Sequence, residues 1–403
     1  MAGSSSSSSK MPSLKERFIA GFSLAGCGDA MGYNKGEWEF CRSGQTIHRE
    51  VMKRTENQGV LSLSIDGWKV SDDQVMHLAT GEGMKAWWNA ATSQEKCEHD
   101  IRKTSLFPAI SKAYVACWDD MDGRAPGMTT GTGILRMERS GRWDAVNYSG
   151  SGGGCGGAMR TMCIGMVFFE ESEQDNLIAC GIEAGRMTHN HPTGFFGSLV
   201  SALFTAFALR GVPVQFWGCK LVNEILPKAY AYLKEEKRDY ALYEKDLLFF
   251  EKKWSEYLKL RGLSSEESNA LPVFPQSYDV KARDKFYSSI SYSGWGGASG
   301  DDSVIIAYDA LLGCIFDHDN YHHSSKPVET ISEKLENPRR WAEYCLRGVL
   351  HGGDSDSTGV IGAVWYGCLF GLVDVPQHHY EKVEYNARAV DLAKVLFDIY
   401  QQR

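Results

Sequence analysis

The sequence of 403 residues predicts an all-α protein. Apolar residues recur every three to four positions along most of the chain, as over 242–258, where they alternate with Lys and Glu. The alternation of apolar and polar residues that is typical of strands is almost absent. In addition, the 42 glycines collect at the junctions between periodic segments, at 150–157, 294–300 and 348–353. Glycine-rich junctions permit unusual backbone angles and close approach of a ligand, so we expect helices joined by functional loops.

Each predicted helix is a segment in which the apolar residues share one face. In chain order these segments are 14–26, 74–88, 105–118, 159–169, 174–188, 196–210, 219–235, 242–258, 303–316, 331–349, 358–371 and 379–400. No composition break, linker or repeat divides residues 13–403, which predicts a single domain. Residues 1–12 contain a run of six serines with nothing to bury, and we expect them to form a disordered leader or a tag.

Composition and charge exclude several classes of function. The formal net charge is -8, with 43 Lys and Arg against 51 Asp and Glu, so we expect no general nucleic-acid binding. The 11 cysteines contain no C-x2-C pair, which favours a reduced, cytoplasmic protein. The apolar stretch 360–373 is shorter than the ~18 to 20 residues of a membrane span. We therefore expect a soluble protein that does not bind a membrane.

Two acidic clusters, each next to a predicted helix start, are the strongest candidates for chemistry. The first acidic cluster is Ser71-Asp72-Asp73, and the second acidic cluster is Asp354-Ser355-Asp356-Ser357. Adjacent carboxylates repel one another, and a helix dipole offsets only ~0.3–1 kcal/mol of that repulsion. Hard oxygen donors without a neighbouring Cys or paired His suit Mg2+ or Mn2+ rather than zinc. The two clusters together favour one shared metal site.

Two other interpretations of the acidic clusters are open. Each cluster could simply cap its helix, with Ser71 or Ser357 as the capping residue and the acids favouring the dipole. Residues 354–358 also fit the D-x-D-x-[ST] pattern of phosphatases with an aspartyl nucleophile. That class requires a strand before the motif and an α/β core after it, whereas glycines precede it here and a helical pattern follows.

Two glycine-rich loops could hold a ligand. The glycine loop, 152–157, runs into an apolar helical segment, and consecutive amides at a helix start can bind phosphate. The aromatic loop, 292–300, sets Tyr292 and Trp295 among glycines, where a ring can contact a base or ribose. Either loop could instead be a flexible turn or a loop anchored to the core. His189 and His191, in the polar segment 186–194, suit hydrogen bonding better than metal binding.

Eight segments together resemble the ADP-ribosylglycohydrolase family, and in particular its ADP-ribosylarginine hydrolase branch, related to the glycohydrolase that reactivates dinitrogenase reductase. The segments are GDAMGY at 28–33, GEWEF at 36–40, VSDD at 70–73, DGRAPG at 122–127, GCGGAMR at 154–160, RMTHNHPTG at 186–194, YSGWGG at 292–297 and HGGDSDST at 351–358. They run in order along nearly the whole chain.

The resemblance implies an all-α orthogonal helical bundle with two Mg2+ ions, or Mn2+ as a substitute, at the base of a cleft. It implies a hydrolase that removes ADP-ribose from mono-ADP-ribosylated arginine on proteins by cleaving an N-glycosidic bond. The implied metal ligands are Ser71, Asp72, Asp73, Asp354, Asp356 and Ser357. The implied catalytic residues are Asp72, Asp73, Asp354, Asp356 and Glu39, of which Glu39 gates or assists the metal site. The implied substrate-binding residues are Lys112, Gly127, Gly153, Gly154, Cys155, Gly156, Gly157, His189, Tyr292, Gly294, Trp295, Gly296, Gly297 and Ser299.

The chain departs from the family pattern at three places. Gln74 replaces the last residue of an S/T-D-D-T motif, the segment 317–330 is longer than expected and looks like a surface loop, and the Ser-rich leader has no counterpart. Other linkages, to serine or in O-acetyl-ADP-ribose, are alternative substrates, although serine-directed relatives carry Asn where this chain has Cys155. A non-catalytic ADP-ribose-binding protein is the alternative from another class. We expect a monomer.

Overall fold

The structure is a computed structural model that describes residues 11–266, 271–317 and 339–403. Within these ranges the protein contains seventeen α-helices and no β-strand, as the sequence predicts. The helices are α1 Leu14–Tyr33, α2 Gly44–Arg54, α3 Asp72–Ala90, α4 Ser93–Lys96, α5 Leu106–Cys117, α6 Met128–Ser140, α7 Met162–Val167, α8 Gln174–Arg186, α9 Pro192–Arg210, α10 Trp217–Lys220, α11 Leu226–Glu236, α12 Tyr240–Arg261, α13 Val280–Ile290, α14 Asp302–Phe316, α15 Arg340–Tyr344, α16 Ser355–Phe370 and α17 Asn386–Gln402.

Helix boundaries agree with the prediction where apolar periodicity is strong, as in α8 and α14. The predicted helix over 159–169 is wrong at its start, because Cys155–Arg160 forms a 3-10 helix and α7 begins only at Met162. The polar helix α2 and the glycine-containing α6 are absent from the prediction. Residues 1–10 of the predicted leader and most of the predicted loop over 317–330, together with 331–338, lie outside the described residues.

The predicted helix over 379–400 begins seven residues later than expected, at Asn386. The segment before it instead runs along the loop that precedes α3. Gly67 N donates to Lys382 O over 2.9 Å, and Glu384 N donates to Trp68 O over 3.1 Å. These long-range backbone hydrogen bonds replace the bonds that a helix would form, so tertiary contact overrides local periodicity here.

Helices α1 and α16 pack against each other through glycines. A Cβ atom on Gly28 would lie 2.6 Å from the carbonyl carbon of Gly359, and one on Gly32 would lie 2.5 Å from Asp356 N. Both distances are far below a normal van der Waals contact, so these positions require the absence of a side chain. The two helix backbones therefore lie in direct contact, which places the start of α16 against the end of α1.

The core is built around α9, whose apolar residues are buried on every face. Among the described helices, α9 alone is long and apolar enough to cross a membrane, and the whole of that stretch is buried inside the protein. Phe204 on α9 packs against the rings of Trp217, Trp254 and Trp365, with centroid separations of 5.2 to 5.5 Å.

Candidate functional site

The two acidic clusters, almost three hundred residues apart in sequence, lie side by side. Ser71 is the N-cap of α3, and its hydroxyl accepts a hydrogen bond from Asp73 N over 3.1 Å. Asp354 precedes α16, whose first turn contains Asp356 and Ser357. Ser357 Oγ donates to Asp73 Oδ2 over 2.8 Å, which joins the two helix starts directly. The helix-cap interpretation is thus right for Ser71, but it does not account for the contact between the clusters.

Glu39 adds a third carboxylate to this contact. One carboxylate oxygen from each of Glu39, Asp354 and Asp356 lies within 4.8 Å of the other two, and all three residues are buried. The Oε2 atom of Glu39 is buried without a hydrogen-bond partner. Because buried polar atoms are rarely left unpaired, this oxygen indicates that a donor or cation belongs in the cluster.

Asp29, on α1, fixes the backbone at the start of α3. Both of its carboxylate oxygens accept from Ser71 N at 3.1 Å, and Oδ2 also accepts from Gln74 N at 3.1 Å. Ser355 Oγ donates to Gly32 O over 3.1 Å, which ties the second cluster to the same helix. The sequence motif at 28–33 contains Asp29, but spacing alone gave no indication that it would anchor the first acidic cluster.

Burial and mutual repulsion raise the pKa values of the carboxyl groups. The pKa of Asp72 rises to about 8, chiefly through burial and then through the charge of Asp29. The pKa of Glu39 rises to about 9, again through burial first and then through the charges of Asp354 and Asp72. The pKa values of Asp73 and Asp356 lie well above the usual range for the same reasons.

A divalent cation fits this cluster chemically. A bound cation reverses the effect of burial and repulsion on acidic groups, because it stabilises their ionised forms. Carboxylate and hydroxyl oxygens form the donor set that Mg2+ or Mn2+ prefers. The residues that could hold such an ion are Ser71, Asp72, Asp73, Asp354, Asp356, Ser357 and Glu39.

The fold also brings one cysteine to the cluster, contrary to the expectation from the neighbouring sequence. Cys155 Sγ lies 3.3 Å from Asp354 Oδ2 and 3.5 Å from Ser357 Oγ. Burial and the charges of Asp354 and Asp73 raise the pKa of the thiol well above its usual value, so it is protonated and donates to Asp354. Nothing in the sequence around either acidic cluster indicates this contact.

The backbone of the glycine loop is hydrogen-bonded to the aromatic loop, unlike that of a simple anion-binding turn. Gly154 pairs with Ser299 in an antiparallel bridge, Cys155 N donates to Ala298 O over 3.1 Å, and Gly300 N donates to Gly153 O over 2.9 Å. Some of its backbone groups are therefore already used by the aromatic loop. Gly156 and Gly157 lie inside the 3-10 helix that follows and are buried. The two loops, separate in sequence, are therefore joined through their backbones beside Cys155.

The histidines of 186–194 both form hydrogen bonds. His189 Nδ1 lies 2.8 Å from Thr188 Oγ1, and burial lowers the pKa of His189 to about 3, so the ring is neutral. A Cβ atom on Gly154 would lie 3.3 Å from His189 Nε2, which places this histidine against the glycine loop. His191 Nδ1 accepts from Thr193 N over 3.2 Å and caps α9.

The aromatic loop holds the backbone of two of the carboxylate residues. Asp354 N donates to Gly296 O over 2.9 Å, and a Cβ atom on Gly297, where φ is +103°, would lie 2.6 Å from Asp354 O. Trp295 Nε1 donates to Glu39 O over 3.2 Å. The loop therefore positions Glu39 and Asp354 from one side.

The remaining predicted substrate-binding residues lie farther out on the surface. Tyr292 is 88% exposed in the aromatic loop, and Gly294, two residues later, is half-buried with a φ of +73°. Lys112 is exposed on α5, and Gly127 is exposed directly before α6. Exposed positions of this kind are available to a ligand, but no contact that the structure describes joins Lys112 or Gly127 to either acidic cluster.

Known proteins resemble this chain over most of its length. A model of the ADP-ribosylglycohydrolase family matches residues 10–403. The chain is 40% identical over 402 residues to the ADP-ribosylhydrolase ARH1 of Dictyostelium discoideum, covering 94% of this chain and 93% of that protein. It is 26% identical to the putative ADP-ribosyl glycohydrolase L444 of Acanthamoeba polyphaga mimivirus, covering 89% of this chain and 65% of that protein.

A solved structure shows the same fold. The chain in an ADP-ribosylglycohydrolase-related protein complex superposes with a TM-score of 0.52 at 15% identity, covering 96% of this chain and 99% of that chain. The match over nearly the whole length, together with the 40% identity to a named relative, identifies the family. This protein belongs to the ADP-ribosylglycohydrolase family.

Proposed function

We propose that this protein is a Mg2+-dependent hydrolase that releases ADP-ribose from mono-ADP-ribosylated arginine on proteins. The observation that carries the proposal is the contact between the two acidic clusters, through Ser357 Oγ and Asp73 Oδ2, next to the grouped carboxylates of Glu39, Asp354 and Asp356. The 40% identity to a protein named ADP-ribosylhydrolase ARH1 supports this substrate class. The protein would act as a cytoplasmic monomer.

The residues that could hold two divalent ions are those of the two acidic clusters, with Glu39 beside them. Bound Mg2+ would supply positive charge that orients ribose hydroxyls and makes the attacking water more acidic. The buried walls around the site would strengthen every charge interaction inside it. Manganese would be expected to substitute, because the donor atoms are oxygens.

The chain's own residues would then manage the protons of the reaction. Water adds to C1″ of the ribose through an oxocarbenium-like state, and the bond from C1″ to the guanidino nitrogen breaks. Asp354 or Asp356 accepts the proton of the water, and the departing guanidine takes a proton from Glu39 or from solvent. Glu39 is suited to this role by its position, because one of its carboxylate oxygens lies within 4.8 Å of an oxygen of Asp354 and of Asp356.

The two loops would hold the rest of the ADP-ribose. The glycine loop would bind the diphosphate, with neutral His189 beside it for the ribose, and the aromatic loop would contact the adenosine. Because the aromatic loop also holds the backbone of Glu39 and Asp354, a bound adenosine would lie on the same element that positions the carboxylates. Binding energy from this remote part of the substrate would orient the reacting ribose.

Release of ADP-ribose from matched peptides tests the proposal. The purified protein is incubated with arginine-linked and serine-linked peptides, in Mg2+ and in EDTA. We expect release from the arginine peptide in Mg2+ only, and loss of that release in Asp356→Asn. Asp391→Asn is the matched control, because this aspartate lies on the surface of α17 with a side chain 77% exposed.

Three results would contradict the proposal. Release from the arginine peptide in EDTA would show that hydrolysis does not require the metal. Release from the serine peptide alone would show that the protein cleaves the serine linkage instead of the arginine linkage. Binding of ADP-ribose without turnover of either peptide would indicate a non-catalytic binding protein.

A further inference from the structure

The peptide groups on both sides of Val70, the residue before the first acidic cluster, are held by two charged side chains from distant parts of the chain. Arg124 Nη1 donates to Val70 O over 2.7 Å, and Val70 N donates to Glu384 Oε2 over 3.1 Å. Arg124 and Glu384 also pair with each other, through Nη1 and Oε2 at 2.7 Å and through Nη2 and Oε1 at 3.2 Å. The three groups close a ring of hydrogen bonds around one residue.

This ring continues the contacts of Asp29. The N–H of Val70 is held by Glu384, and the N–H of the next residue, Ser71, is held by the buried Asp29. Two consecutive amides before α3 thus end on carboxylates from helix α1 and from the segment before α17. Glu384 and Asp29 lie outside both acidic clusters. Together they fix the backbone that leads into the first acidic cluster.

The hydrogen-bonded ring of Val70, Arg124 and Glu384 is largely shielded from water, and Arg124 forms further hydrogen bonds outside it. The side chain of Arg124 is 7% exposed and that of Glu384 is 14% exposed. Arg124 also donates to Asp120 O over 2.7 Å and to Asp120 Oδ1 over 3.0 Å. Hydrogen bonds from Arg124 and Lys69 outweigh the effect of burial and lower the pKa of Glu384 to about 2, so this carboxylate is ionised at neutral pH. Charge-assisted bonds in such a site are stronger than neutral ones.

We propose that Arg124 and Glu384 are positioning residues that form a clamp on Val70 and set the position of the first acidic cluster for metal binding. This inference depends on the proposed metal site. Residues that orient metal ligands typically change metal affinity by about 10- to 100-fold when they are lost. The clamp acts on the backbone before Ser71, so its loss would displace Ser71 and Asp72 together.

The affinity of the full chain for Mn2+, measured by calorimetry without substrate, tests the clamp. We expect Arg124→Met and Glu384→Ala each to weaken Mn2+ binding by about 10- to 100-fold. Glu384→Gln keeps an oxygen that can accept from Val70 N but loses the charge that pairs with Arg124, so it should bind Mn2+ more tightly than Glu384→Ala does. Lys69→Ala is the control, because Lys69 pairs with Glu384 Oε1 at 2.7 Å but its side chain is 64% exposed.

The outcomes separate the clamp from the proposed function. A wild type that binds Mn2+, with Arg124→Met and Glu384→Ala binding equally well, would overturn the clamp and leave the metal site in place. A wild type that binds no Mn2+ would overturn both. If Arg124→Met does not fold, the comparison of Glu384→Ala with Glu384→Gln still decides, since a loss in the first that the second restores supports the clamp, and equal affinity refutes it.

Discussion

The substitution Gly32→Ala should greatly reduce hydrolysis, although Gly32 lies outside both acidic clusters. A Cβ atom there would lie 2.5 Å from Asp356 N and 2.6 Å from the carbonyl carbon of Ser355. Both obstacles are backbone atoms, which cannot rotate away as a side chain can. The Gly32→Ala variant must therefore move the first turn of α16 relative to α1.

The size of the effect follows from this geometry. Optimal separations between non-bonded heavy atoms are about 3.5 to 4.0 Å, so the start of α16 must shift by roughly 1 Å. Overpacking of this kind costs about 1–3 kcal/mol of stability. A misplacement of about 1 Å at a catalytic group can cost about 100-fold in rate. We expect the Gly32→Ala variant to fold. Its free energy of unfolding, measured by urea denaturation, should fall by about 1–3 kcal/mol, and its rate of hydrolysis should fall by about 100-fold.

Gly26→Ala, on the same helix, is the matched control. Its Cβ atom would lie no closer than 3.5 Å to Gln74 Nε2, which is an ordinary contact. This variant should be neutral, or more stable by about 0.5–1 kcal/mol because alanine favours a helix. If Gly32→Ala matches Gly26→Ala in both stability and activity, the close contact between α1 and α16 does not position the site.

Three further predictions concern the cluster itself. Asp73→Ala should abolish Mg2+-dependent release of ADP-ribose while circular dichroism stays unchanged, and near wild-type turnover would refute its assignment. In EDTA, the free energy of unfolding should fall as the pH rises from about 5 to 8, because the folded chain keeps protons on groups such as Glu39 and Asp72 that the unfolded chain loses. Saturating Mg2+ should remove that fall, and parallel pH curves in the two conditions would contradict it. Trp295→Phe keeps a ring beside Phe40 but loses the donor to Glu39 O, so kcat should drop several-fold, and an unchanged kcat would show that this bond is dispensable.

The sequence predicts the helical class and the composition of the acidic site because these depend on local information. Apolar periodicity identifies helices such as α8, and neighbouring carboxylates at a helix start are costly enough to indicate a ligand. The resemblance to the family adds Glu39, which stands alone in sequence and carries no spacing signal of its own. The structure places its carboxylate with those of Asp354 and Asp356.

What the sequence could not predict depends on contacts across the fold. Cys155 reaches Asp354 only because the glycine loop pairs with the aromatic loop. The segment before α17 departs from helix because it bonds to the loop at 65–68, and the same departure brings Glu384 to Val70. A buried acceptor such as Asp29 gives no periodic signal either, since its partners lie 42 and 45 residues away.

Anomalous X-ray diffraction from crystals soaked in Mn2+ would show whether the two acidic clusters bind metal together. We expect two strong peaks between residues 71–73 and residues 354–357, within coordination distance of Asp73 and Asp356. Peaks at other positions, or none at a concentration that supports hydrolysis, would contradict it.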